Sequence, residues 1–562
     1  AAAVGAVTNT GDIDISADSI TASGAMSGDN ISLAAASAAV ALPQVTAANN
    51  LSVQAGGNIS ATGSIQAGGD ASFVSTGAIT LDQANSTYGS LSLVGASAVV
   101  DEEDATELAA ANITGDLTLT SGGNITDSGT VTVGGAATLT ADGGAADITL
   151  ADGASTFGSL VLTATNASVV EADSTDLGAS SIASDLTVNS GGDITDSGTL
   201  TVGGAATLNA AGDIVLDQAL STFGSMSIVG NSVSITENDS MTITDITASS
   251  LTTNSSGGQS ITGSVGTFNA TNTASGDITL DNTGDLTVTG ISQDGGAVTV
   301  ATDGSLDQSG DITSSGSDIN LTAGGPITMS AGAVTSSNGG DINYTSTGSG
   351  SDITINRLNA CVAANCDASD GSIVVDSGGS IFGVADEDHI TAQSAYLKAS
   401  LLDPVGDIGQ DSPDGSLSIA FVGMDENGNA EDSGDPIFLE FGGSAFIDEG
   451  LFNFSVSDLS NAANVAARGQ ASASVAASAQ AAALDEGEDV DWAAFSEEVT
   501  VYEINNDGVQ LPQDQQTDEF AKLMEEALRK LSEDETVSDA SSIFDITPDP
   551  EGIPVSQLTK TD

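Results

Sequence analysis

Residues 115–135 read GDLTLTSGGNITDSGTVTVGG, and residues 185–204 repeat the text as DLTVNSGGDITDSGTLTVGG. Within them Leu117-Thr118-Leu119, Val131-Thr132-Val133 and Leu200-Thr201-Val202 alternate apolar with polar side chains, the period of a half-buried strand. Gly-Gly pairs, Asn, Asp and Ser separate the runs and supply turn chemistry. None of the runs is long enough for a helix.

The pattern spreads in both directions. Blocks 50–114, 115–184 and 185–249 align and are 65, 70 and 65 residues long. Each holds one copy of a second marker: Ser86-Thr87-Tyr88-Gly89-Ser90, Ser155-Thr156-Phe157-Gly158-Ser159 and Ser221-Thr222-Phe223-Gly224-Ser225, spaced by 69 and 66. Every block divides into three units of 20 to 26 residues, the third being longest and expected to carry a loop. Degenerate units extend from about Gly11 to about Ser380.

A unit of about 20 residues cannot bury a core alone and must stack on its neighbours. Three short strands per turn predict an all-β fold, a parallel β-solenoid. Residues 1–380 would form about 17–18 coils, at roughly 4.8 Å each. Proline supports the reading, because none occurs between Pro43 and Pro326, and proline cannot donate to a strand ladder. Tyr88, Phe157 and Phe223 are expected to fill one corner every third coil, as packing markers.

Composition excludes several functions. Seven Lys/Arg stand against 78 Asp/Glu, a net charge of −71, and residues 1–356 hold no Lys or Arg. A nucleic-acid binder neutralises phosphates with cations, and an anionic membrane surface repels so acidic a chain. No run of 18 apolar residues exists, so membrane insertion as a helix is not expected. High charge with few aromatics is also the signature of disorder, which the periodic apolar pattern opposes.

The stretch GDLTLTSGGNITDSGTVTVGG resembles the repeats of filamentous-haemagglutinin-type exoproteins, over roughly residues 11–380. The resemblance implies a right-handed β-helix, a bacterial origin and export by two-partner secretion, with an outer-membrane secretion partner. The Asn-Pro motifs of that family's amino-terminal secretion domain do not occur here.

From about Ile381 the repeat is expected to stop. Residues 381–562 carry all the prolines except Pro43 and Pro326, and the lone Trp492. They read as a smaller α+β region, a cap or an assembly joint. Leu417–Val422, Ile437–Phe441 and Leu451–Val456 read as strands, and the Ala-rich 458–484 as helix. Asn505-Asn506-Asp507-Gly508 signals a hairpin. The clearest helix spans 518–533, with Phe520, Leu523, Met524, Ala527, Leu528 and Leu531 on one face. That apolar face is the candidate interface with a partner, unless it packs on its own domain.

Catalytic residues are not expected. Pectin-cleaving β-helices use Asp clusters with basic residues, and here the first basic residue is Arg357. The only histidine, His389, reads as a solvated loop residue. Cys361 and Cys366 form a C-x4-C pair with no further Cys, which disfavours four-ligand zinc. A local disulfide is expected instead, in an oxidising, extracellular setting. Asp425, Asn427, Asn429, Glu431 and Asp432 gather hard oxygen ligands in one loop, a candidate calcium site or else a solvated acidic turn. No cofactor is required. Together these features predict a non-enzymatic extracellular subunit at the bacterial cell surface that joins copies of itself head to tail. The rival reading is a monomeric stalk whose tip at 381–562 binds glycans or cells, and the lesser alternative is a polysaccharide-degrading β-helix enzyme that uses paired Asp residues as general acid and base.

Overall fold

The computed structural model describes residues 1–362, 366, 370–384, 389–401, 405–409 and Phe441. Beyond residue 409 it also describes the strands Leu417–Val422, Ile437–Glu440, Ala445–Asp448, Phe454–Val456, Val465–Arg468, Glu503–Asn505 and Gly508–Gln510. The chain divides into two compact units, Ala1–Thr267 with Thr271–Ala274, and Phe268–Ala270 with Ser275–Asp562. Both are parallel β-solenoid, and together they make about 19 turns. Among the described residues the helical segment is the 3-10 turn Asp142–Gly144.

In the first unit the alternation read from the sequence becomes inside and outside. Leu117–Ser121 buries Leu117, Leu119 and Ser121 and exposes Thr118 and Thr120. The chain visits three strand columns per turn. Val40–Leu42, Val45–Ala47 and Leu51–Ala55 make one turn. The next turn lies in register on it, with Ile59 on Val40, Ile65 on Val45 and Ala71 on Leu51. Ile, Leu and Val at these inward positions are 0–1% exposed. Burying each is worth roughly 1.5–3 kcal/mol, which is how units without a core of their own become stable when stacked.

The polar corners are stitched as well. Asn30 Oδ1 accepts the N–H of Asn50 (3.2 Å), and Asn50 Oδ1 accepts that of Asp70 (2.9 Å). Asp116 and Asp185 do the same for Ala136 and Ala205, at 3.0 and 2.9 Å. The second unit repeats the device, with Asp318 accepting from Asp341 (2.9 Å) and Asp341 from Ser372 (2.7 Å). A short side chain with an acceptor oxygen reaches the next turn's otherwise unused donor. Many of the carboxylates that make the chain acidic are therefore ladder residues.

In the second unit the parallel ladder crosses residue 380, where an α+β region was expected to begin. Ser372–Ser377 pairs with Ser394–Lys398, setting Ile373 on Ala395 and Val375 on Leu397, all buried. The inward alternation persists there although the surrounding Gly-rich text fades. Parallel pairing continues through Ile437–Glu440 and Ala445–Asp448 to Val465–Arg468. That last strand lies inside the stretch expected as helix, so an available ladder edge outweighs alanine's helix propensity. The hairpin forms, with Glu503–Asn505 antiparallel to Gly508–Gln510. The candidate calcium loop with Asp425, Asn427, Asn429, Glu431 and Asp432 lies outside the described residues. So does the 518–533 helix with Phe520, Leu523, Met524, Ala527, Leu528 and Leu531.

Candidate functional site: a buried glutamate in each repeat

The marker Ser-Thr-(Tyr/Phe)-Gly-Ser is a stitch between three successive turns. Its first serine is fully buried in all three copies. Ser86, Ser155 and Ser221 each accept through Oγ the N–H of a strand one turn earlier, from Ile65, Val131 and Leu200, at 3.1, 3.0 and 3.0 Å. Their carbonyls accept the N–H of Glu103, Ala172 and Asn238, one turn later. The glycine sits over a Gly-Gly bulge of the preceding turn, where the register shifts between Ala67 and Asp70, Val133 and Ala136, and Val202 and Ala205. A Cβ on Gly158 would lie 2.6 and 2.7 Å from the carbonyl oxygens of Gly134 and Gly135, so only glycine fits.

The aromatic ring turns inward. Tyr88, Phe157 and Phe223 are 4%, 6% and 5% exposed, and Tyr88 meets Phe73 edge to face at 6.0 Å. Each aromatic N–H is held by a buried carboxyl from the following turn. Glu102 Oε1 accepts from Tyr88 at 2.7 Å, Glu171 Oε1 from Phe157 at 2.7 Å, and Glu237 Oε1 from Phe223 at 2.8 Å. The glutamates follow the aromatics by 14 residues and recur at the same spacings, 69 and 66. They are 2%, 3% and 2% exposed.

The second carboxyl oxygen differs between copies. Thr106 Oγ1 bonds Glu102 Oε2 at 2.6 Å. In the second copy Glu171 Oε2 and Thr175 Oγ1 are both buried without a partner, and in the third Met241 replaces the threonine and leaves Glu237 Oε2 bare. Burial pushes Glu102 and Glu171 up to about 7 and Glu237 up to about 8. These glutamates were missed in the sequence, where any one of 78 acids passes for a surface group. Their recurrence in step with the aromatics was the available signal.

The markers do not share a corner. Tyr88 ends the column Gly28, Ala47, Ala67. Phe157 stands on Val133 and Ile113, and Phe223 on Val202 and Ile182. These are three different strand columns, so consecutive repeats advance by about three and a third turns rather than three. A spacing of 69 or 66 is not three times a 20-residue turn, and the surplus moves each marker one face onward.

Other expected residues fall elsewhere. Cys361 and Cys366 are joined as a disulfide with Cα atoms 5.1 Å apart. Asp370 lies within 4.8 Å of both sulfurs and accepts the N–H of Val362, but a disulfide sulfur is not the thiolate that binds a metal. His389 is not solvated. It is 2% exposed, its Nε2 lies 2.6 Å from the carbonyl oxygen of Val384, and its own carbonyl accepts the N–H of Leu358. Its place at the entry to the paired strand Ile390–Ala392 draws it into the ladder.

No curated protein and no solved structure matches the chain. Residues 28–94, 95–164 and 164–229 match a family model described as repeats of unknown function (DUF5649). Each match ends just after one aromatic marker and contains one full set of the strands described above. By sequence and by structure, then, this is a β-solenoid repeat protein whose first unit is similar to that repeat family.

Proposed function

We propose that the chain is a non-enzymatic structural protein, an extracellular β-solenoid subunit that assembles head to tail into a cell-surface or matrix filament. One observation carries the reading: what recurs in every repeat is internal stitching. Ser86, Tyr88, Gly89 and Glu102, and their counterparts, all serve turn-to-turn contacts. A solenoid offers unpaired strand edges at its ends, and end-to-end contacts that do not close on themselves give filaments. Residues 381–562 would form the joint, and the exoprotein resemblance favours secretion through an outer-membrane partner. At −71, like surfaces repel, so assembly should strengthen with salt or calcium, which act by screening.

Electron microscopy of the chain with calcium, with chelator and across salt tests this. Long uniform filaments that grow with ionic strength are expected. Molecules that stay monomeric at high concentration in every condition overturn it, and binding of glycans by those monomers would establish the adhesive stalk instead.

A further inference from the structure

We infer that Glu102, Glu171 and Glu237 are folded into the first unit as neutral carboxylic acids, making each repeat a proton-held latch that loosens as pH rises. The geometry argues for it without any titration. Each carboxyl is at least 97% buried and accepts a backbone N–H through one oxygen. A carboxylate buried this deeply needs a cation or a full set of donors. Residues 1–356 contain no Lys, Arg or His. In the second and third copies Oε2 makes no hydrogen bond, although in the second the neighbouring Thr175 hydroxyl still favours the charged form somewhat.

The titratable groups that face these carboxyls add to the case. Glu102 is faced by Asp104 on its own loop and, across the turn, by Tyr88, itself in the field of Asp101. Glu171 is faced by Asp173 and Glu237 by Asp239. Every one is acidic, so ionisation would place a buried negative charge beside the exposed carboxylates of Asp104, Asp173 and Asp239 with no cation to offset it. A proton on Oε2 removes the charge, and in the first copy it can be shared with Thr106. The third copy, lacking that hydroxyl, is the one pushed highest, to about 8.

The sign follows from linkage. Folding raises these groups above the 4.5 of an unhindered glutamate. Their stabilisation is therefore complete below about pH 4.5 and is lost as pH rises through 7 to 8. Unfolding of the full chain across about pH 5 to 9 tests the latch, with the parent compared to the triple variant Glu102→Gln, Glu171→Gln and Glu237→Gln. A glutamine keeps the acceptor and cannot ionise. The variant should match the parent at the acid end and lose most of the parent's fall in unfolding midpoint toward the alkaline end. A variant that keeps the parent's full slope, or is less stable than the parent at alkaline pH, overturns the inference.

Carbon-13 titration of the glutamate carboxyls in the unaltered chain gives a reading that needs no variant to fold. Three carboxyls still protonated at about pH 6 support the latch. All glutamates titrating in the usual range overturn it. Neither result depends on whether filaments form.

Discussion

The repeats of the first unit and the turns of the second solve the same problem, a polar group inside a narrow core, with different chemistry. The amide solution already appears late in the first unit at the buried Gln259, whose Nε2 donates to Ser255 Oγ and the Thr271 carbonyl. The first unit buries Glu237 against the N–H of Phe223 and leaves one carboxyl oxygen bare. The second buries Gln308, whose Nε2 donates to the Gly310 carbonyl and Thr335 Oγ1, both at 3.0 Å, while Oε1 accepts from Tyr344 at 2.5 Å. An amide carries donors and an acceptor in one group and needs no charge. Gln293 leaves its Oε1 bare, but it too is uncharged. A carboxyl becomes comparable only by holding a proton. The aromatic is likewise redistributed, from Phe223, whose backbone N–H is stitched while its ring only packs, to a fully buried Tyr344 whose hydroxyl is part of the network.

Three substitutions would break or sharpen this contrast. The largest effect is expected from Phe157→Ala, which empties a buried site between turns in the first unit. A loss of about 3–5 kcal/mol is expected, read as hydrogen-exchange protection falling in the adjoining turns more than in the second unit. Tyr344→Phe comes next. It keeps the packing but removes the hydroxyl shared by Gln308 and Thr335, and should cost about 1–2 kcal/mol in denaturant unfolding. Its effect should be flat with pH across the range in which the first unit weakens. The smallest is Met241→Thr, which restores in the third copy the hydroxyl that Glu102 meets in the first. It should move the Glu237 titration down from about 8 toward the 7 of Glu102, seen in the same carboxyl titration.

Much of the fold was legible because strand periodicity is local. Leu117-Thr118-Leu119 states its inward and outward faces in three letters, and the buried and exposed sides match. The long proline-free stretch carried long-range information too, since a ladder using every donor excludes proline. Register was harder to read. The 69 and 66 spacings were visible, but placing the markers on faces requires the true length of each turn, and bulges such as the one between Val133 and Ala136 change it. The end of the ladder was misjudged near residue 380 because glycine-rich turn text thins out before the inward alternation of Ile373, Val375, Ala395 and Leu397 does. His389 was misread for a related reason: its acidic neighbours in sequence suggest solvent, whereas pairing with Leu358 is a contact 31 positions away (389 − 358).

The one-face advance has a consequence for how such a chain can change length. Duplicating a single repeat adds three turns and a third, so whatever follows is re-aimed by a third of a revolution as well as carried farther along the axis. Three duplications restore the original bearing. The turns that precede each marker, closed by Ser86 on Gln83, Ser155 on Asp152 and Ser221 on Gln218, point in three directions instead of forming a row. A flat partner touches one copy at a time, and only one that winds around the axis engages them together.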